Sequence, residues 1–264
     1  MLLLLKLTLT PLLIGGASLA ARRWGPAIAG WIVALPLTSG PVLFFVALDH
    51  GRAFAADAAV GTTLGLGAIV AYSLGFAAAS TRGPAVALAA ATAAYVVAGF
   101  ALQAAAGWPY LLLAALVAAS ILVTLRVLPP STGGPSSRRQ PRWDLPARIV
   151  VGTVLVVGLT TIAPVLGPTV SGIVTTFPVY VSVLTVFAFL SDGRPAAMGV
   201  LRGALIGLPG TVAFYIPIHF LVVGPGVAPA FALSIAVTSA IGVVALPQAR
   251  GRSRTAEELE PELV

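Results

Sequence analysis

Cysteine is absent from this 264-residue chain, and charge is scarce: Asp, Glu, Lys and Arg make up 9% of it, against about 25% in soluble domains. Lacking cysteine, the chain has no disulfide framework, thiolate metal site or Cys nucleophile. Carboxylates are nearly as rare, because outside the C-terminal tail there are only Asp49, Asp57, Asp144 and Asp192. Two isolated histidines, His50 and His219, form no metal-ligand or Ser-His-Asp pattern. There is no phosphate-binding G-x-x-x-x-G-K-[ST] loop. An enzyme is disfavoured, and no cofactor or metal is expected.

What the chain has in abundance is apolar sequence, 58% of all residues. Nearly charge-free runs of spanning length, about 20 residues, recur throughout. They predict an all-α, polytopic transmembrane bundle. Nine candidate spans fall near 2–20, 27–48, 54–80, 84–106, 108–128, 149–166, 169–190, 196–222 and 227–247.

The net charge of +7 does not indicate nucleic acid. Most Lys and Arg lie in short loops, the central linker or the tail, where they orient helices against a bilayer. The opening Leu-rich run resembles a secretory signal, but Lys6 lies inside it and Arg22-Arg23 follows it. That charge order predicts a retained first helix.

Residues 129–147, rich in Pro, Gly, Ser and Arg, read as a flexible basic linker. Residues 248–264 read as a disordered tail holding all four glutamates.

An internal repeat organises the remainder. Under a shift of 142 residues, Gly25-Pro26 falls on Gly167-Pro168, Gly30 on Gly172, Pro36 on Pro178, Gly51-Arg52 on Gly193-Arg194, Gly61 on Gly203 and Gly65-Leu66 on Gly207-Leu208. Trp24 to Gly67 contains 12 identities in 44 ungapped positions, where composition alone predicts about five. Lys6 falls on Arg148. The expected units are a first four-helix repeat (1–106), a connecting helix (107–128) and a second four-helix repeat (148–247).

One odd helix between the copies inverts the second. With the linker inside, the inner loops collect twelve Lys and Arg and the outer ones Lys6 and Arg52. This predicts an outside N-terminus and a cytoplasmic C-terminus.

Opposed copies with matched, Pro-broken spans point to a binding site at the repeat interface. Candidate pathway residues are Pro36, Thr38 and Ser39 in the first copy and Thr175, Thr176, Pro178 and Tyr180 in the second. Gly61, Gly65, Gly203 and Gly207 have the four-residue spacing of close helix packing. They are expected to bring spans three and eight close, on each other across the pseudo-axis. Ionisable residues near span ends supply face ion pairs or gates: Lys6 or Arg52 with Asp57 outside, Arg148 with Asp192 inside. Arg202 lies within the eighth span, too far along to meet Asp57.

Ser171-Gly-Ile-Val-Thr-Thr-Phe-Pro178, Ser191-Asp-Gly-Arg194, Arg202 with Gly207, and Tyr215-Ile-Pro217 resemble the GlpM family of small bacterial inner-membrane proteins. The resemblance covers roughly Arg148 to Leu246, one family-sized unit of about four spans, which the first unit repeats more weakly. It implies a bacterial inner-membrane protein. In the first copy Val60 replaces Arg202 and the Tyr-Ile-Pro step is missing. The four-plus-one-plus-four plan is similar to that of the drug/metabolite transporter superfamily.

Two functions are expected from these features. The first is a secondary transporter for a small, lipophilic or amphipathic solute, since buried polar residues are few. The second is a non-transporting accessory or scaffold subunit of an envelope pathway. The lipid bilayer is the expected partner in either case, with a homo-oligomer or membrane partner left open.

Overall fold

A computed structural model describes residues 2–37, 39–129, 141–162 and 176–254. Every regular element among them is helical. In chain order they are α1 (Leu2–Trp24), α2 (Pro26–Ala34), α3 (Ser39–Asp49), α4 (Arg52–Ala79), a 3-10 turn (Ser80–Arg82), α5 (Pro84–Gln103) and α6 (Tyr110–Val127). After the linker come α7 (Asp144–Ile162), α8 (Val179–Asp192), α9 (Arg194–Leu221) and α10 (Val227–Arg254).

Six segments are long and apolar enough to cross a membrane: Pro26–Asp49, which joins α2 and α3, Arg52–Arg82, Pro84–Gln103, Tyr110–Val127, Arg194–Leu221 and Val227–Pro247. Helices α1, α7 and α8 stand where the first, sixth and seventh spans are expected, and α8 is a shorter apolar helix.

The broken span is a consequence of Pro36. Proline has no amide to donate and crowds the carbonyl four residues back, so α2 stops at Ala34. Leu35, the residue before it, is extended at φ −68°, ψ 149°. Helix α3 then begins at Ser39 and tolerates Pro41 in its first turn. In the second half Pro178 caps the start of α8.

Helices follow one another with almost no loop because single glycines make the turns. Gly25 (φ 95°, ψ 163°), Gly51 (92°, 164°), Gly83 (100°, 166°) and Gly193 (81°, −172°) share one backbone conformation that is open essentially to glycine alone. Two of them, Gly51 and Gly193, are repeat equivalents, and each starts a helix of 28 residues, α4 and α9.

Long-range contacts gather the helix junctions at two ends. Arg22 pairs with Asp144, Arg194 Nε donates to Ser80 Oγ at 2.7 Å, and Arg202 reaches the carbonyls of Leu125 and Pro129 at 3.0 and 3.1 Å. These bonds place the α1–α2, α4–α5, α6–α7 and α8–α9 junctions together. At the other end Gly226 adjoins Arg52, and His219 stacks on Tyr110 at 4.2 Å and contacts the Ala56 carbonyl. Arg22, Arg23, Arg82, Arg126, Arg142, Arg148 and Arg194 flank the junctions of the first end, whereas Asp49, Arg52 and Asp57 flank those of the second.

The main apolar core lies between α4 and α9 and extends onto α5 and α6. Helix α9 is its axis, buried almost throughout. Its tightest neighbour is α2. A Cβ added to Gly203 would sit 1.8 Å from the Ala27 carbonyl oxygen, and one on Gly30 would sit 1.9 Å from that of Val200. Gly203 and Gly207 therefore serve the α9–α2 crossing rather than the expected close approach to α4, although α4 and α9 also touch.

A central cavity at the α2–α3 break and the start of α8

The break in the first half and the start of α8 in the second open onto one cavity of about 440 Å³. Ser39 lines it from α3, and Thr176, Pro178 and Tyr180 line it from the second half. Both members of six repeat-equivalent pairs take part: Ala34 with Thr176, Leu35 with Phe177, Ser39 with Val181, Thr62 with Ala204, Leu66 with Leu208, and Ile69 with Thr211. Helices α1 and α7 close it with Thr10 and Val156.

Polar groups in the cavity wall are held in neutral hydrogen bonds. Tyr180 Oη and Thr10 Oγ1 are 3.1 Å apart, and Tyr95 Oη lies 2.7 Å from Thr176 Oγ1. Thr211 Oγ1 donates to the Ala34 carbonyl, which the end of α2 leaves without an intrahelical donor. Ser182 Oγ returns to the Pro178 carbonyl at 2.8 Å. Tyr215 is different. It is fully buried and lines the cavity, and its hydroxyl has the Ser39 and Thr62 hydroxyls nearby but no partner at hydrogen-bond geometry among the described residues. No charged residue is among the described residues that line the cavity.

The structure thus brings Ser39, Thr176, Pro178 and Tyr180 together. Pro36 is placed elsewhere: with Pro41 it lines a separate apolar pocket of about 840 Å³ between α3 and α10. Thr38 and Thr175 lie outside the described residues. Gly65 lines the cavity with Thr176 against it, a Cβ there falling 2.9 Å from the threonine Cβ. Gly61 meets no described atom within 4 Å.

Among the described residues, the ionisable groups make ion pairs at one end only. At the basic end Asp144 accepts from Arg148 Nε at 2.9 Å, from Arg148 Nη2 at 3.2 Å and from Arg22 Nη2 at 3.2 Å. Both Asp144 and Arg148 are buried. Arg148 thus has a carboxylate one turn earlier in its own helix, and Asp192 shares a small cavity with it. At the other end Arg52 and Asp57 are both exposed and make no ion pair among the described residues. Their spacing of five positions turns them to different faces of α4. Lys6 belongs to α1, and its side chain lies outside the described residues. Arg202 holds the C-terminal carbonyls of α6, a packing role.

Sequence reasoning missed Thr10, Thr62, Thr211 and Tyr215 as cavity residues. Each is a hydroxyl within an apolar helix that carries few others, a weak signal that does not say which face points inward. No family model, curated protein or solved structure matches this chain.

Proposed function

We propose that this protein is a secondary transporter for a small amphipathic solute, with the central cavity as its binding site. The observation that carries the reading is that cavity's position. It lies where the helices are interrupted, lined by equivalent residues of both halves, which is where transporters built from opposed repeats bind substrate. Its volume suits a small molecule, and its mostly apolar wall with a few hydroxyls suits an amphipathic one.

Two exchanged contacts support a duplicated unit. Gly65 abuts Thr176, and Gly207 abuts Ala34, where a Cβ would fall 2.8 Å from the alanine Cβ. Each contact becomes the other under the repeat shift, as a pseudo-two-fold relation requires. In this reading nine helices cross the membrane and the second copy is inverted. The arginine-rich end faces the cytoplasm by the positive-inside rule, with the N-terminus outside in a bacterial inner membrane.

The test is uptake by proteoliposomes of a labelled panel of small acids, amines and neutral amphiphiles. At least one solute should enter faster than into protein-free vesicles, and Thr176→Trp, which fills the cavity, should abolish the difference. Absence of flux across the panel from folded protein, together with a stoichiometric co-purifying membrane partner, would favour the scaffold role.

A further inference from the structure

The geometry points to a monocarboxylate as the cavity's ligand, its carboxylate at the first turn of α8 with Tyr215 Oη as a donor, and its apolar tail among Leu66, Ile69 and Leu208. This inference rests on the transport reading and narrows its substrate class.

Three observations carry it. First, α8 starts inside the bundle, and Val179, Tyr180 and Val181 of its first turn all line the cavity. The amides of a first turn have no intrahelical acceptor. Val179 N donates to the Phe177 carbonyl and Ser182 N to that of Pro178, but no described group accepts from the amides of Tyr180 and Val181. Such amides, with the positive end of the helix dipole, favour an anion.

Second, Tyr215 is fully buried beside the cavity, and its hydroxyl has no partner at hydrogen-bond geometry among the described residues. A buried orphan donor is costly, and a ligand oxygen would satisfy it. The Ser39 hydroxyl flanks it and can donate beside it, whereas Thr62 Oγ1 already donates to the Ala58 carbonyl at 2.8 Å.

Third, no Lys, Arg or His is among the described lining residues. A multiply charged anion such as a phosphate ester would be buried there without a counter-charge, at high cost. A single carboxylate is within reach of oriented amides and hydroxyls. An amine would face the wrong end of the helix dipole. Leu66, Ile69 and Leu208 on the cavity wall then match an aliphatic or aromatic tail.

The experiment uses the purified full chain in nanodiscs and compares binding of 3-phenylpropionate with that of its neutral isostere 3-phenylpropanamide, by calorimetry. The acid should bind about tenfold more tightly, as hydrogen bonds to a charged group allow. Tyr215→Phe should weaken the acid about fivefold or more and leave the amide unchanged, with an unaltered melting profile. Should that variant fail to fold, Ser39→Ala carries the same expectation with a smaller effect. Equal binding of acid and amide, or binding of neither, overturns the monocarboxylate assignment. If the same preparation then transports another solute of the panel, the transport reading survives; if it transports none, both fall.

Discussion

The two halves make contacts of different kinds along α9 and α4. In one, α2 lies on α9 with backbone against backbone, and Gly30 and Gly203 leave no room for a Cβ. In the other, Gly65 of α4 meets a threonine side chain, Thr176, and Gly61 meets no described atom within 4 Å. Polar groups line the cavity from both halves, Thr10, Ser39 and Thr62 from the first and Thr176, Tyr180, Thr211 and Tyr215 from the second. Tyr215 has no counterpart in the first half, because its repeat equivalent is Ser73, whose hydroxyl is returned to the Ile69 carbonyl of its own helix. The α2–α9 crossing is a close backbone seam, while the repeat equivalents of Ala27 and Gly30, residues 169 and 172, lie outside the described residues.

Substitutions can break this contrast in order of size. Gly203→Leu should cost the most, because the obstacle is a backbone carbonyl that has nowhere to go. Overpacking costs about 1–3 kcal/mol where side chains can shift, and this site should exceed that, giving no monodisperse protein by size-exclusion chromatography. Gly61→Leu, at the equivalent position, should give normal yield. Equal loss at both would mean the contacts are alike.

The halves are also anchored differently, since Asp144 ties α7 to the end of α1 through Arg148 and Arg22, whereas its repeat equivalent is Leu2. Asp144→Asn removes the carboxylate charge from two arginines and should lower stability by about 3 kcal/mol, read as a fall in melting temperature. Arg148→Met together with Asp144→Leu should recover much of that loss, since a buried pair can be replaced by apolar residues at little cost.

Next in size is Gly193→Ala. The Gly193 conformation costs an L-residue about 1–3 kcal/mol, and Gly51→Ala should match it, because both joints have the same geometry. Thermal melts that differ clearly between them would break the structural equivalence of the halves.

The smallest effect belongs to Tyr180→Phe. It removes the hydrogen bond to Thr10, worth about 0.6 kcal/mol by analogy with other membrane proteins, so the melt should barely move. Uptake by proteoliposomes, in contrast, should change, because the hydroxyl lies on the cavity wall.

Much of this architecture is legible from glycine and proline. Gly25-Pro26, Gly51-Arg52 and Gly193-Arg194, pairs matched in the repeat, are helix joints, as is the unmatched Gly83-Pro84, and Pro36 breaks its span where the sequence says it must. Prolines impose their constraint locally, through φ and a missing amide, so no tertiary information is needed. The cavity wall is another matter. Whether Tyr215 or Thr10 faces inward depends on the rotation of α9 and α1, and an evenly apolar helix gives no periodicity from which to read it. Composition also concealed the start of α7. Asp144 falls in the linker by composition, with its prolines and arginines, yet an acid followed by Pro146 is a helix-start pattern, and the helix begins there.

Opposed halves that enclose one cavity are the centre of the account, and two single-cysteine variants test that directly because the chain has no native cysteine. His50 and Asp192 are repeat equivalents, so His50→Cys and Asp192→Cys should lie at opposite faces. A membrane-impermeant thiol reagent applied to intact cells should label the variant at 50 and spare the one at 192 until the cells are lysed. Labelling of both before lysis would place the copies in the same orientation and contradict the account.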